Sequence, residues 1–156
     1  MTVKSIPEGF HTITPTLTLK NCSAAIDFYK KAFGAEEIMC MKMPDGKVAH
    51  CELKIGDSIF MLGDEGMGFT KSPQTLGGTC CTFFCYCPDV DAWYGRALKA
   101  GCTSKAPVTD MFWGDRYGVL MDPFGCVWGL ATHKEDVKPD EMERRGKEWM
   151  DKMKAA

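Results

Sequence analysis

No apolar run in this 156-residue chain approaches the ~18 residues needed to cross a bilayer, so no membrane partner is expected. No sign of charge dominates either: 19 Lys and Arg stand against 21 Asp and Glu, for a formal net charge of −2. A nucleic-acid surface needs a basic excess on one face, and that partner is not expected. Residues 1–7, Met1-Thr-Val-Lys-Ser-Ile-Pro7, carry no apolar export core, so a cytoplasmic location is the expectation. There is no C-x2-C pair, no G-x-S-x-G elbow and no P-loop lysine motif. Gly63-Asp-Glu-Gly-Met-Gly68 has three glycines, but nothing sets them in the strand-to-helix turn that a nucleotide fingerprint requires.

What the chain has in plenty is cysteine, nine in all, at 22, 40, 51, 80, 81, 85, 87, 102 and 126. An odd count without an export signal argues against a disulfide framework. Cys80-Cys81-x3-Cys85-x-Cys87 suggests a metal cluster at first sight. Strand alternation, however, would divide these residues between two faces. The plainer reading is a set of reduced thiols serving as small apolar residues. Hydrophobic residues make up 45 % and charged residues 26 %, which suits one globular domain at this length.

Periodicity orders the rest. From His11 to Leu19 threonines alternate with Ile13, Leu17 and Leu19, a strand with one apolar face that Pro15 must interrupt. Asn21 or Ser23 can cap a helix over 24–33, with Ile26, Tyr29 and Phe33 as its buried stripe and Gly34 as its end. Strands are expected near 35–43, 47–55 and 58–63. After a glycine-containing loop, 64–78, the order repeats: strand 79–87, helix 89–100, and strands near 102–106, 116–121 and 126–132. Gly34 and Gly101 are 67 apart, Gly46 and Gly114 are 68 apart, and Gly56 and Gly125 are 69 apart. The chain is therefore α+β, built as two tandem βαβββ modules. A polar link and a helix over 140–153 follow. Met142, Trp149 and Met153 share one side of that helix, a docking stripe or a lid.

Three segments then point to a family. The repeated order, Ala25-Ile-Asp-Phe-Tyr-Lys-Lys-Ala-Phe-Gly-Ala35 and Asp122-Pro-Phe-Gly-x-x-Trp128 resemble the vicinal-oxygen-chelate superfamily, the glyoxalase, bleomycin-resistance and extradiol-dioxygenase group. Phe112-Trp-Gly-Asp-Arg-Tyr-Gly118 resembles its phosphonate-operon-associated, glyoxalase-like branch, also labelled demethylubiquinone-methyltransferase-like. The resemblance covers 8–133 as one domain, with module one about 10–64, module two about 79–133, and 134–156 as link and C-terminal helix. It implies two four-stranded sheets with concave faces lining a pocket, and a homodimer. In the metal-dependent members it also implies four ligands, His or Gln and Glu, from the first and last strand of each module.

Counting from the motifs sets those four positions at Thr14, Met61, Thr82 and Gly129. None is a usual ligand for a divalent transition metal. His11 has the wrong strand parity, and His133 lies four residues beyond Gly129, about 13 Å at ~3.3 Å per residue. No metal and no other cofactor are therefore expected.

Other residues should line the hollow. On the third strand His50 and Glu52 share a face, either as acid/base equipment and candidate catalytic residues or as a half-exposed polar pair. A 68-residue offset carries Val48 to Arg116, which then faces the cavity to grip an anion, or pairs with Asp115 or Asp122. Trp113 should wall the site, Phe84 and Tyr86 share parity with Thr82, and Thr14 and Thr16 add hydroxyls. The favoured function is binding of a small organic molecule without a metal. The alternative is a glyoxalase-type lyase or isomerase with a non-standard ligand set including His50 and Glu52. An assembly module with no ligand is a third reading.

Overall fold

The computed structural model describes residues 3–155. The first module runs β1 (Thr16–Leu19), α1 (Cys22–Phe33), β2 (Glu36–Lys42), β3 (Val48–Ile55) and β4 (Ser58–Asp64). A short helix, α2 (Pro73–Leu76), precedes the second: β5 (Thr82–Tyr86), α3 (Val90–Ala100), β6 (Thr103–Asp110), β7 (Asp115–Met121) and β8 (Val127–His133). The chain closes with α4 (Pro139–Ala155). Each module makes a four-stranded sheet, ordered β1-β4-β3-β2 and β5-β8-β7-β6. The first neighbour pair in each is parallel and the others antiparallel. This is the duplicated α+β architecture that the repeat implied.

The opening strand is shorter than expected. Pairing begins at Thr16, because Pro15 has no N–H to give the ladder. Its carbonyl still accepts from the Met61 N–H at 2.8 Å, while the Thr14 hydroxyl turns back to the His11 carbonyl. The loop over 64–78 is also more ordered than its glycines suggested. Glu65 accepts from the N–H and hydroxyl of Ser72, and Ser72 caps α2.

Both helices follow their local signals. The Asn21 side chain accepts from the Ala24 N–H, and Gly34 closes α1 in the left-handed region at φ 69°. Asp89 caps α3 in the same way. The inward stripe of α1 is Ile26, Tyr29 and Phe33, as its period required, widened by Cys22, Ala25 and Ala32.

The helix-covered faces of the two sheets share one core. Tyr29 touches Phe60 of β4 and Trp128 of β8, with ring centroids 5.9 and 5.3 Å away, and Phe33 lies 4.4 Å from Trp128. At the centre sits Asp122, 3 % exposed. It accepts from the Tyr29 hydroxyl at 2.8 Å, the Trp128 indole at 2.9 Å, and the backbone N–H groups of Phe124 and Cys126. The Asp-Pro-Phe-Gly turn thus ties one module's helix to the other module's last hairpin. Asp64 closes the first module similarly, accepting from the Cys22 and Val48 N–H groups.

All nine cysteines are free thiols. Five are buried, but Cys80 and Cys81 are exposed on the approach to β5, so the reading of cysteine as core filler fails for that pair. Burial pushes the thiols of Cys22, Cys51, Cys102 and Cys126 up to about 12. Among the described residues no group of three His, Cys, Asp or Glu side chains converges to hold a metal ion.

Candidate ligand-binding faces

Because α1 and α3 cover one face of each sheet, the other face of each is left open. On the first sheet, strand alternation sends Cys51 and Leu53 into the core and turns His50 and Glu52 outward. Register then builds a row across the sheet, since Thr16 pairs with Met61, Met61 with Glu52, and Glu52 with Met39. Met41 lies opposite His50. His50 Nε2 is 3.1 Å from Glu52 Oε1, and the Thr16 hydroxyl donates to the Met61 sulfur at 3.7 Å. Met39, Met41 and Met43 are all exposed, Met41 by 55 %. The expected His50–Glu52 pair therefore forms, inside a methionine-rich surface.

The open face of the second sheet is aromatic. Phe84 pairs with Gly129 and Tyr86 with Ala131 on one side, while Tyr117 pairs with Ala131 on the other. With only small residues on the central strand, rings from both neighbours meet above it. Phe84 and Tyr117 stack at 5.2 Å with planes 10° apart. Contacts continue from Tyr86 to Phe84, and from Tyr117 through Trp113 and Phe112 to Trp149 of α4, with successive centroids 5.1–5.8 Å apart. Tyr86 is 65 % exposed. Gly129 lies under this layer: a Cβ there would stand 2.9 Å from the Tyr117 ring and 3.3 Å from Phe84.

Below the aromatics lies Asp115, 3 % exposed. It accepts from the Tyr86 hydroxyl at 3.0 Å, the Trp113 indole at 2.9 Å and His133 Nδ1 at 2.7 Å. His133 Nε2 meets Asp136 of the link at 3.1 Å. Hydrogen bonds to Asp115 and then Asp136 raise the His133 pKa above the ordinary imidazole value. The bond to Asp115 likewise raises the Tyr86 hydroxyl. The link is fixed where it passes this cluster, because the N–H groups of Lys134 and Glu135 both donate to the Gly114 carbonyl. Gly114, at φ 96°, has no room for a side chain, since a Cβ would fall 2.1 Å from the Glu135 carbonyl oxygen.

The Asp115–His133 cluster was not legible in sequence. His133 shares the strand parity of Gly129, but the offset that turns Arg116 toward the cavity turns Asp115 away from it, and only the β7–β8 register sets Asp115 opposite His133.

Arg116 needs correction. It does not face either open surface. Its guanidinium donates to both oxygens of Asp91 on α3, at 2.7 and 2.8 Å, and to Asp110 at 3.2 Å, on the helix-covered face. The cause is a one-residue change of offset. Leu62 and Leu130 correspond at 68, but their partners Cys51 and Gly118 are 67 apart. The second hairpin holds one more residue in its turn, so Arg116 corresponds to Ala49 and takes the opposite face. The expected ion-pair partners, Asp115 and Asp122, are likewise replaced by Asp91 and Asp110.

The remaining expected residues do not gather in one cleft. Thr82, Phe84 and Tyr86 line a cavity of about 560 Å³ along the free edge of β5, beside Ile13, Pro15 and Ile59. Thr16, His50, Glu52 and Met61 belong to the first sheet's open face, and Trp113 to the aromatic layer on the second's. Thr14 stands ahead of β1, half-buried.

The four metal positions can be tested against this geometry. Met61 and Gly129 occupy equivalent places on β4 and β8, and Thr82 opens β5. They supply a thioether, no side chain and a hydroxyl, and over Gly129 the Phe84 and Tyr117 rings fill the space a ligand would need. The residues present do not fit a divalent ion held as the metal-dependent members hold it.

A chain of paired βαβββ modules with open curled sheets defines a class of proteins, and sequence comparison identifies the family. The Glyoxalase/Bleomycin resistance protein/Dioxygenase superfamily matches residues 9–130, and the chain belongs to it. The uncharacterized protein Rv0887c of Mycobacterium tuberculosis is 42 % identical over 135 residues, which is 84 % of this chain and 79 % of that protein. Among solved structures, TioX from Micromonospora sp. ML1 superposes with a TM-score of 0.66 at 27 % identity, covering 79 % of this chain and 98 % of TioX. The product of Arabidopsis thaliana At5g48480 gives 0.65 at 28 % identity, covering 78 % and 98 %.

Proposed function

We propose that this protein binds a small, largely apolar organic molecule on the open faces of its sheets, with no divalent metal at the superfamily's central position. The observation that carries the reading is the Phe84–Tyr117 stack over Gly129, which puts aromatic surface where a ligand to metal would stand. Flat rings give large contact area at small entropic loss, and methionines on the opposite module supply an adaptable surface. A metal-dependent lyase or isomerase would have to build on His50 and Glu52, and among the described residues no third His, Cys, Asp or Glu joins them.

The exposed apolar faces also favour a homodimer. Met39, Met41, Phe84 and Tyr86 leave each module's surface open, and a second copy set with one sheet's methionines facing the other's rings would enclose the bound molecule between them.

The test uses 8-anilinonaphthalene-1-sulfonate as the probe. Saturable binding with enhanced emission, weakened about tenfold by Phe84→Ala, supports the reading. Non-saturable binding, or binding indifferent to Phe84→Ala, contradicts it.

A further inference from the structure

Asp115 is more organised than packing alone requires. Its Oδ1 takes His133 Nδ1, and its Oδ2 takes both the Tyr86 hydroxyl and the Trp113 indole. The donors come from β8, from β5 and from the loop before β7, so three separate segments converge on one buried carboxylate. A carboxylate held by three donors cannot turn, and it fixes the plane and tautomer of the imidazole it binds. That arrangement leaves the reactive nitrogen, Nε2, on the outside. There its partner is Asp136, a fully exposed carboxylate on the link, which can exchange this contact for water at little loss. Tyr86 and Trp113 are also members of the aromatic layer, so Asp115 ties the imidazole to two residues whose rings belong to that surface.

We propose that His133, oriented by Asp115, is the proton-transferring group of a metal-free site on the second sheet, acting on a planar carbon acid that lies against the Phe84–Tyr117 layer. The proposal rests on the ligand-binding reading above and adds a reaction to it. The substrate class is a flat β,γ-unsaturated carbonyl compound, whose α C–H is made acidic by the carbonyl. Neutral His133 takes that proton on Nε2 and the C–H electron pair moves toward the carbonyl to give a dienolate. As the carbonyl re-forms, the former C=C pair takes the proton back at the γ carbon, and the double bond has moved to the α,β position. No electrons are gained or lost and no co-reactant enters. The groups that set the charge of His133 are Asp115 from β7, Tyr86 from β5 acting through Asp115, and Asp136 from the link. Since both carboxylates favour the imidazolium, the basic form grows in as pH rises above the ordinary imidazole range.

A general carbon-acid probe, 5-nitrobenzisoxazole, tests this on the full chain. Loss of its C3 proton to a base forms the nitrile as the N–O bond breaks and the oxygen leaves as a coloured phenolate. Binding of the probe is followed separately by quenching of tryptophan emission. The expected result is a rate per site at least tenfold above the same concentration of free imidazole, rising with pH through a single midpoint. His133→Asn should reduce it tenfold or more while quenching persists. Asp115→Asn should shift the midpoint to lower pH, which a purely structural role would not do. Quenching with turnover unchanged in His133→Asn, or turnover lost in His50→Asn instead, overturns the proposal and leaves ligand binding standing. Absence of both quenching and turnover overturns the two together.

Discussion

Single residues carry unequal weight in this protein, and Asp122 carries the most. It is the buried acceptor for Tyr29 and Trp128, which come from different modules. Removing it strands two buried donors and two backbone N–H groups. Asp122→Ala should therefore cost about 3 kcal/mol or more. That corresponds to a Tm roughly 10 °C lower at ~3 °C per kcal/mol for a chain of this size, measurable by calorimetry. His133 gives the pH test. Its pairing raises its folded pKa, so the stability it contributes is fully present below ~6.5 and is lost as pH rises through the folded value. An NMR titration of the three histidines should find His133 above ~6.5, and Asp115→Asn should bring it down. The thiols divide by exposure: Cys80 and Cys81 should react promptly with a disulfide reagent at pH 8, and the five buried ones only after denaturation. Uniform reaction of all nine in the native protein would contradict the burial described.

At the scale of elements, the helices and the alternating strands were legible in sequence because each is set by local rules. The α1 stripe needed only its 3.6-residue period, and His50 and Glu52 needed only the alternation of β3. Two features were not legible. The face that Arg116 takes depends on one extra residue in the turn that joins β7 to β8, and the glycine spacing of the repeat does not reveal it. The Asp115 cluster depended on pairing among β5, β7 and β8, which no local pattern encodes. The aromatic layer yields its own prediction. Gly129→Ala must push the Tyr117 and Phe84 rings apart, with the overpacking penalty of about 1–3 kcal/mol and loss of the stacked geometry. A Tyr117→Ala background should relieve most of that penalty; equal penalties in both backgrounds would show that the rings do not lie where described.

For the whole molecule, two modules share one core through α1 and α3 and leave both open faces to the outside. The exposed methionines of one face and rings of the other predict a dimer in sedimentation at ~10 μM, an ordinary range for a specific association. A monomer at that concentration would count against it. The central claim is that the superfamily's chelating position has become a binding surface of rings and thioethers. Its most direct test is the divalent-metal content of protein isolated without chelators, after alkylation of Cys80 and Cys81. Well below one ion per chain is expected. One tightly held ion per chain that survives alkylation and disappears in Glu52→Gln would contradict it.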